Sequence, residues 1–118
     1  MLIVRTYLAP SKINGLGVFA REFISAGSVV WEFTPELDLE YRIDVQPRRV
    51  QEYLRHYGSE VEPGVFLLCG DNARFMNHCE NPNISGAENP NIALREIAAG
   101  EEITCNYAEF DLAFKGSF

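Results

Sequence analysis

Residues 74–83, RFMNHCENPN, gather an arginine, a histidine, a cysteine, an acid and three asparagines into ten positions. Asn77-His78-Cys79 admits several chemistries. A zinc site would need Cys69 and Cys105 to join His78 and Cys79, but the chain has no Cys-x-x-Cys pair. Adjacent residues on extended backbone also point apart, so no metal is expected. A nucleophilic Cys79 would need a base from elsewhere, and His56 is the only other histidine. In a third reading the Asn-His pair satisfies buried backbone groups or shapes a pocket, while Asn-Pro-Asn makes residues 79–83 a loop.

Two other stretches carry candidate chemistry. In residues 12–20, KINGLGVFA, Gly15 and Gly17 flank Leu16 and lead into a strand. That pattern makes a tight turn whose bare backbone a ligand can approach, or simply a hairpin turn. It lacks the third glycine and following helix of a dinucleotide site. In residues 97–107, IAAGEEITCNY, Gly100-Glu101 is a turn, and Ile103, Cys105 and Tyr107 alternate onto one face of a strand. A tyrosine at a strand end normally packs in the core with its hydroxyl tied down.

Short runs of β-branched and aromatic residues must position these groups. They fall at residues 2–8, 17–21, 28–34, 65–69, 92–97 and 102–107, punctuated by Gly, Pro and Asn. The pattern predicts a mainly β, antiparallel domain. One helix is signalled over 47–57: Pro47 suits its first turn, Val50, Tyr53, Leu54 and Tyr57 share a face, and Gly58 stops it. Residues 35–46 carry four acids without a clear period, which reads as a mostly exposed connection.

At 118 residues a single domain is expected, large enough to bury a core. The net charge of −7 argues against direct nucleic-acid binding, which needs a basic stripe, and suits a basic protein or peptide partner. No run is apolar enough for a membrane span, and MLIVRTYLAP is too short for a signal-peptide core. With an odd three cysteines, these features point to an intracellular, cytoplasmic protein, with a nuclear or chromatin setting also open.

Taken together and in order, KINGLGVFA, RFMNHCENPN and GEEITCNY resemble the SET domain of protein lysine methyltransferases, over nearly the whole chain. The resemblance implies several small sheets, a knot-like C-terminal crossing and one or two short helices. Its core would span 1–107 and an aromatic tail 108–118. It further implies S-adenosylmethionine as cofactor, held by Asn14, Gly15, Leu16, Gly17, Arg74, Phe75, Asn77 and His78, with Phe110 of the tail covering it.

Tyr107 matches the family's catalytic tyrosine, whose phenol oxygen accepts weak C–H···O contacts and orients the lysine amine. Tyr57 falls where the family lines the lysine channel with a tyrosine, with Tyr53 and Tyr41 as alternatives. Two departures stand out. The common Asn-His-Ser-Cys reads Asn77-His78-Cys79-Glu80, replacing a hydroxyl by a weaker donor. Cys105 stands where the family often has a bulky aromatic, which implies room in the channel for di- or trimethylation. Phe110, Phe114 and Phe118 could close the channel, stack on the adenine, or form a short helix docked on the core. A homodimer could supply substrate-binding surface.

Overall fold

The computed structural model describes residues 1–115. Among them nine strands form: β1 (Thr6–Pro10), β2 (Leu16–Ala20), β3 (Val29–Trp31), β4 (Leu39–Arg42), β5 (Ser59–Glu62), β6 (Val65–Leu68), β7 (Asn77–His78), β8 (Asn91–Ile92) and β9 (Glu102–Cys105). They make three small sheets, ordered β1-β2-β9-β7, β3-β8 and β4-β6-β5. Helix α1 (Arg48–Tyr57) and a C-terminal turn of helix, α2 (Leu112–Lys115), complete the fold with three short 3-10 segments. None of the described helices is long and apolar enough to cross a membrane.

The β1–β2 hairpin closes where the two glycines predict a turn. Ser11 donates its backbone N–H to the Gly15 carbonyl at 2.8 Å, and Gly15 has φ +47°, a left-handed backbone that glycine adopts without strain. β2 then pairs with β9, and the main core forms around them from Val18, Ala20, Ile24, Val30, Ile84, Ile97 and Ile103. A smaller cluster of Ile43, Leu54 and Phe66 lies between α1 and the β4-β6-β5 sheet. Of the predicted helical stripe, Leu54 is buried, while Tyr53 stays largely exposed.

Several expectations need correction. Residues 35–46 are mostly exposed, as expected, but they are more than a connection: they hold β4, a 3-10 turn at Ile43–Val45, and the buried Ile43 and Asp38. The acids mislead because β4 is an edge strand whose Glu40 stays outward, while the Asp38 carboxylate is buried against the Thr34 N–H and the Met1 α-ammonium, each at 2.8 Å. The run at 2–8 begins its strand only at Thr6, Leu2 making a single bridge to Trp31. The run at 92–97 keeps Asn91–Ile92 and two further single bridges. Ile103 and Cys105 share the main core and Tyr107 packs against it, as expected, but Tyr107 lies beyond β9 in a 3-10 turn, and Thr104 between them is buried as well.

Candidate active site

The site is built where β7 runs parallel to β9, with Asn77 opposite Thr104 and His78 opposite Cys105. The Cys79 N–H extends the pairing by donating to the Cys105 carbonyl at 2.9 Å. Buried Asn83 locks the following loop onto the same strand: its amide donates to the Glu102 carbonyl at 2.8 Å, and its oxygen accepts the Thr104 N–H at 2.8 Å. Two capped 3-10 turns feed the crossing. Asp71 caps Asn72–Phe75, which delivers Arg74 and Phe75, and Asn106 caps Tyr107–Glu109.

His78 and Tyr107 meet there. His78 Nδ1 accepts the Tyr107 backbone N–H at 3.1 Å, and the rings lie 5.2 Å apart. The Tyr107 hydroxyl donates to the Met76 carbonyl at 2.5 Å. Burial, reinforced by Cys105, Asp111 and Glu102, raises the phenol pKa well above its ordinary value. Tyr107 is thus a fixed neutral phenol whose oxygen still has lone-pair capacity. It is no general base at neutral pH.

Asn77 holds the glycine turn to this crossing. Its amide nitrogen lies 3.0 Å from the Asn14 carbonyl, 3.2 Å from that of Leu16 and 3.0 Å from the Glu102 carboxylate. Glu102 also accepts the Ser11 hydroxyl. A Cβ on Gly17 would collide with that carboxylate, so Gly17 is bare to admit Glu102. Gly15 differs: a Cβ there would meet nothing within 4 Å, and neighbouring Leu16 is 46% exposed.

On the other side of Met76 and Tyr107 opens a cavity of about 680 Å³. Tyr57, Arg74, Cys105, Tyr107 and Phe110 all line it, together with Trp31, Cys69 and Phe114. Asn14, Gly15, Leu16, Gly17, Phe75, Asn77 and His78 do not line it; Asn77 is tied to the glycine turn, and His78 lies behind Tyr107 and Phe114. Phe75 touches the cavity wall, its ring packing edge-on against Tyr57 at 5.4 Å. Of the three channel tyrosines considered, Tyr57 lines the cavity, Tyr53 bonds Arg74, and Tyr41 packs on the smaller core. Phe114 lies 4.7 Å from His78 and 5.6 Å from Tyr107, so the tail is at once a short helix and an aromatic wall. Phe118 lies outside the described residues.

Cys69 and Cys105 are poor nucleophiles here. Burial, then the charges of Asp38 and Asp71, push the Cys69 thiol up to about 12, and burial raises Cys105 further. Cys79 does not line the cavity, and the described residues contain no metal-binding group of His, Cys, Asp and Glu. Sequence reasoning missed the Met76 carbonyl, Glu102 and Asn83. A carbonyl leaves no trace in residue type, and Glu102 reads as an ordinary acid at a strand start.

Comparison with known proteins matches this geometry to one family. The SET domain family model covers residues 15–108. Histone-lysine N-methyltransferase trithorax of Drosophila melanogaster is 32% identical over 109 residues, covering 82% of this chain and 3% of that protein. The H3 lysine-4 specific histone-lysine N-methyltransferase of Saccharomyces cerevisiae is 32% identical over 115 residues, covering 84% of this chain and 10% of that protein. The chain therefore spans only a small part of these relatives' length. Among solved structures, a Chaetomium thermophilum Polycomb Repressive Complex 2 aligns with TM-score 0.67 at 25% identity, covering 97% of this chain and 17% of that one. A putative histone methyltransferase of Plasmodium falciparum shares the fold with TM-score 0.62 at 24% identity, covering 87% of this chain and 96% of that one. With the three motifs, the β7–β9 crossing and the family model in agreement, the chain belongs to the SET domain family.

Proposed function

We propose that residues 1–118 form one SET domain that acts as an S-adenosylmethionine-dependent protein-lysine N-methyltransferase. The observation that carries this reading is Tyr107: a neutral phenol fixed to the Met76 carbonyl at the wall of an aromatic cavity, held through His78 to the same strand pair that Asn77 ties to the glycine turn. A phenol fixed at a cavity wall suits the alignment of two reactants.

The residues present fit the cofactor. Gly15 leaves open space beside exposed Leu16, and Arg74 bonds the Cys69 carbonyl and the Tyr53 hydroxyl but, among the described residues, no carboxylate. A ligand with an apolar face and a carboxylate would find both partners. Asn14, Gly15, Leu16, Gly17, Arg74, Phe75, Asn77, His78 and Phe110 are the residues that would hold it. When bound, S-adenosylmethionine supplies a sulfonium methyl that the lysine nitrogen attacks, C–N forming as C–S breaks.

The chain's own contribution is placement and desolvation. Free lysine has a pKa near 10.4, so its amine must lose a proton before it reacts. The aromatic walls of Tyr57, Phe110 and Phe114 disfavour the ammonium form, and the proton leaves to water rather than to Tyr107. The Tyr107 oxygen accepts from the amine and the methyl, aligning them. Cys105, small at the cavity floor, leaves room for more than one methyl, so di- or trimethyl product is expected.

A basic lysine-bearing peptide suits the acidic chain, and since the relatives named above are histone-lysine methyltransferases, histone tails in a nuclear setting are the first substrates to test. The test is calorimetric titration with S-adenosylmethionine, then transfer of labelled methyl to histone H3 tail peptide, with products resolved by mass spectrometry. Saturable binding weakened by Asn77→Ala, and transfer lost in Tyr107→Phe, would support the reading. Peptide binding without transfer would replace it with that of a binding module. Exclusively monomethyl product on a good substrate would sink the proposed methylation state.

A further inference from the structure

The unit of β4, α1, β5 and β6 contributes Tyr57, Ser59 and Val61 to the wall of the cavity that Tyr107 and Asp111 also line. Its small core is separate from the main one. Polar ties therefore matter to where this wall stands. One is Arg74 to the Tyr53 hydroxyl at 2.5 Å. Another lies in the tail. Asp111 Oδ1 accepts the Glu60 backbone N–H of edge strand β5 at 3.0 Å and the Ala113 N–H of α2 at 3.1 Å. The Asp111 N–H in turn donates to the Tyr107 carbonyl at 2.9 Å. A single residue thus joins the backbone of the phenol-bearing turn to the backbone of the β5 wall.

The tail is anchored on its other side as well. Glu109 accepts the Gly86 N–H at 3.2 Å, and Phe110 lies so close to Gly86 that an added Cβ would come within 2.8 Å of its ring. With this end pinned, a break at Asp111 frees the β5 wall rather than the tail as a whole.

We infer that Asp111 is a positioning residue: its Oδ1 sets the distance between the β5 wall and Tyr107, and so the fit of the peptide that enters the cavity. This rests on the methyltransferase reading for its effect on catalysis, while the tie itself does not. Because one oxygen accepts both bonds, Asp111→Asn keeps them and Asp111→Ala removes them. If Asp111 instead acted by its charge on a basic substrate, Asn and Ala would behave alike.

The experiment compares wild type, Asp111→Ala and Asp111→Asn by amide hydrogen exchange at Glu60 and by steady-state methylation of histone H3 tail peptide. In Asp111→Ala, Glu60 exchange should accelerate about tenfold and the peptide KM rise about fivefold to tenfold, the scale of one lost hydrogen bond. Calorimetric affinity for S-adenosylmethionine should change by less than about twofold, since Asp111 is outside the residues proposed to hold it. Asp111→Asn should match wild type in all three. Unchanged Glu60 exchange in Asp111→Ala, or an Asn variant that follows Ala, would overturn the inference. If wild type transfers no methyl but the exchange pattern appears, the methyltransferase reading fails and the tie stands.

Discussion

The two cores of this molecule are unequal. Eleven buried residues form the main cluster beneath β1, β2, β7 and β9, whereas three form the cluster under α1. Apolar burial contributes about 25 cal/mol per Å², so the main cluster carries most of the stability. The groups that must be aligned within fractions of an ångström, Asn77, His78 and Tyr107, all belong to the larger side. The cavity lining from Tyr57, Ser59 and Val61 belongs to the smaller one. On the proposed function, the difference teaches that chemistry would sit on the rigid part and recognition on a part that can be altered without unfolding the rest.

The largest effect should separate the cores outright. Ile103→Ala, at a fully buried position of the main core, should cost about 4 kcal/mol and lower the single global transition. Leu54→Ala should cost about 3 kcal/mol, yet speed amide exchange in α1 while β9 amides stay protected. If both variants melt the molecule as one unit, the comparison breaks.

Next comes function on the rigid side. Tyr107→Phe removes the hydroxyl that bonds Met76, and kcat should fall at least about a hundredfold, measured with labelled methyl donor, against a stability loss of about 1 kcal/mol.

Alkaline pH should loosen both parts. Cys69, Cys105 and Tyr107 all have folded pKa values raised above their ordinary 9.0, 9.0 and 10.0. Keeping them neutral stabilises the fold fully below pH 9, and that stability is lost as pH rises toward about 12. Urea midpoints taken from pH 8 to 11 should decline, and Cys69→Ser should flatten part of that slope. The smallest effect concerns Glu101 on the surface of the main core. Burial works to raise its pKa, but bonds from Arg95, the Ala98 N–H and Asn83 outweigh it and hold the carboxyl below its ordinary value. Its contribution is present above pH 4.5 and lost as pH falls below that. Arg95→Ala should cost only about 0.5 kcal/mol in urea unfolding, as exposed pairs do.

The same inequality explains what was legible in the sequence. The main core announces itself: LGVFA and EITC are compact apolar runs beside glycine turns, and both are strands. Helix α1 was legible from its stripe and from Gly58, where a Cβ would strike the Leu54 carbonyl. β4 and β5, LEYR and SEVE, were not, because edge strands half open to water carry charge and show no clean alternation. Within the site, Asn77, His78 and Tyr107 stood out through residue type and order. The Met76 carbonyl, the carboxylate over Gly17 and the Asp111 tie are relations between distant backbone and side-chain atoms, which no local pattern encodes.

The order β1-β2-β9-β7 has a consequence for how the chain is made. β9 is the last of the described strands to leave the ribosome, and it must enter between two strands synthesised long before it. Until it does, β2 and β7 each present an open edge, and no parallel pairing exists to fix His78. The nascent chain must therefore hold these edges apart from other chains until β9 has been made. Codon changes or chaperone loss that delay residues 102–107 should act on soluble yield before they act on the folded domain.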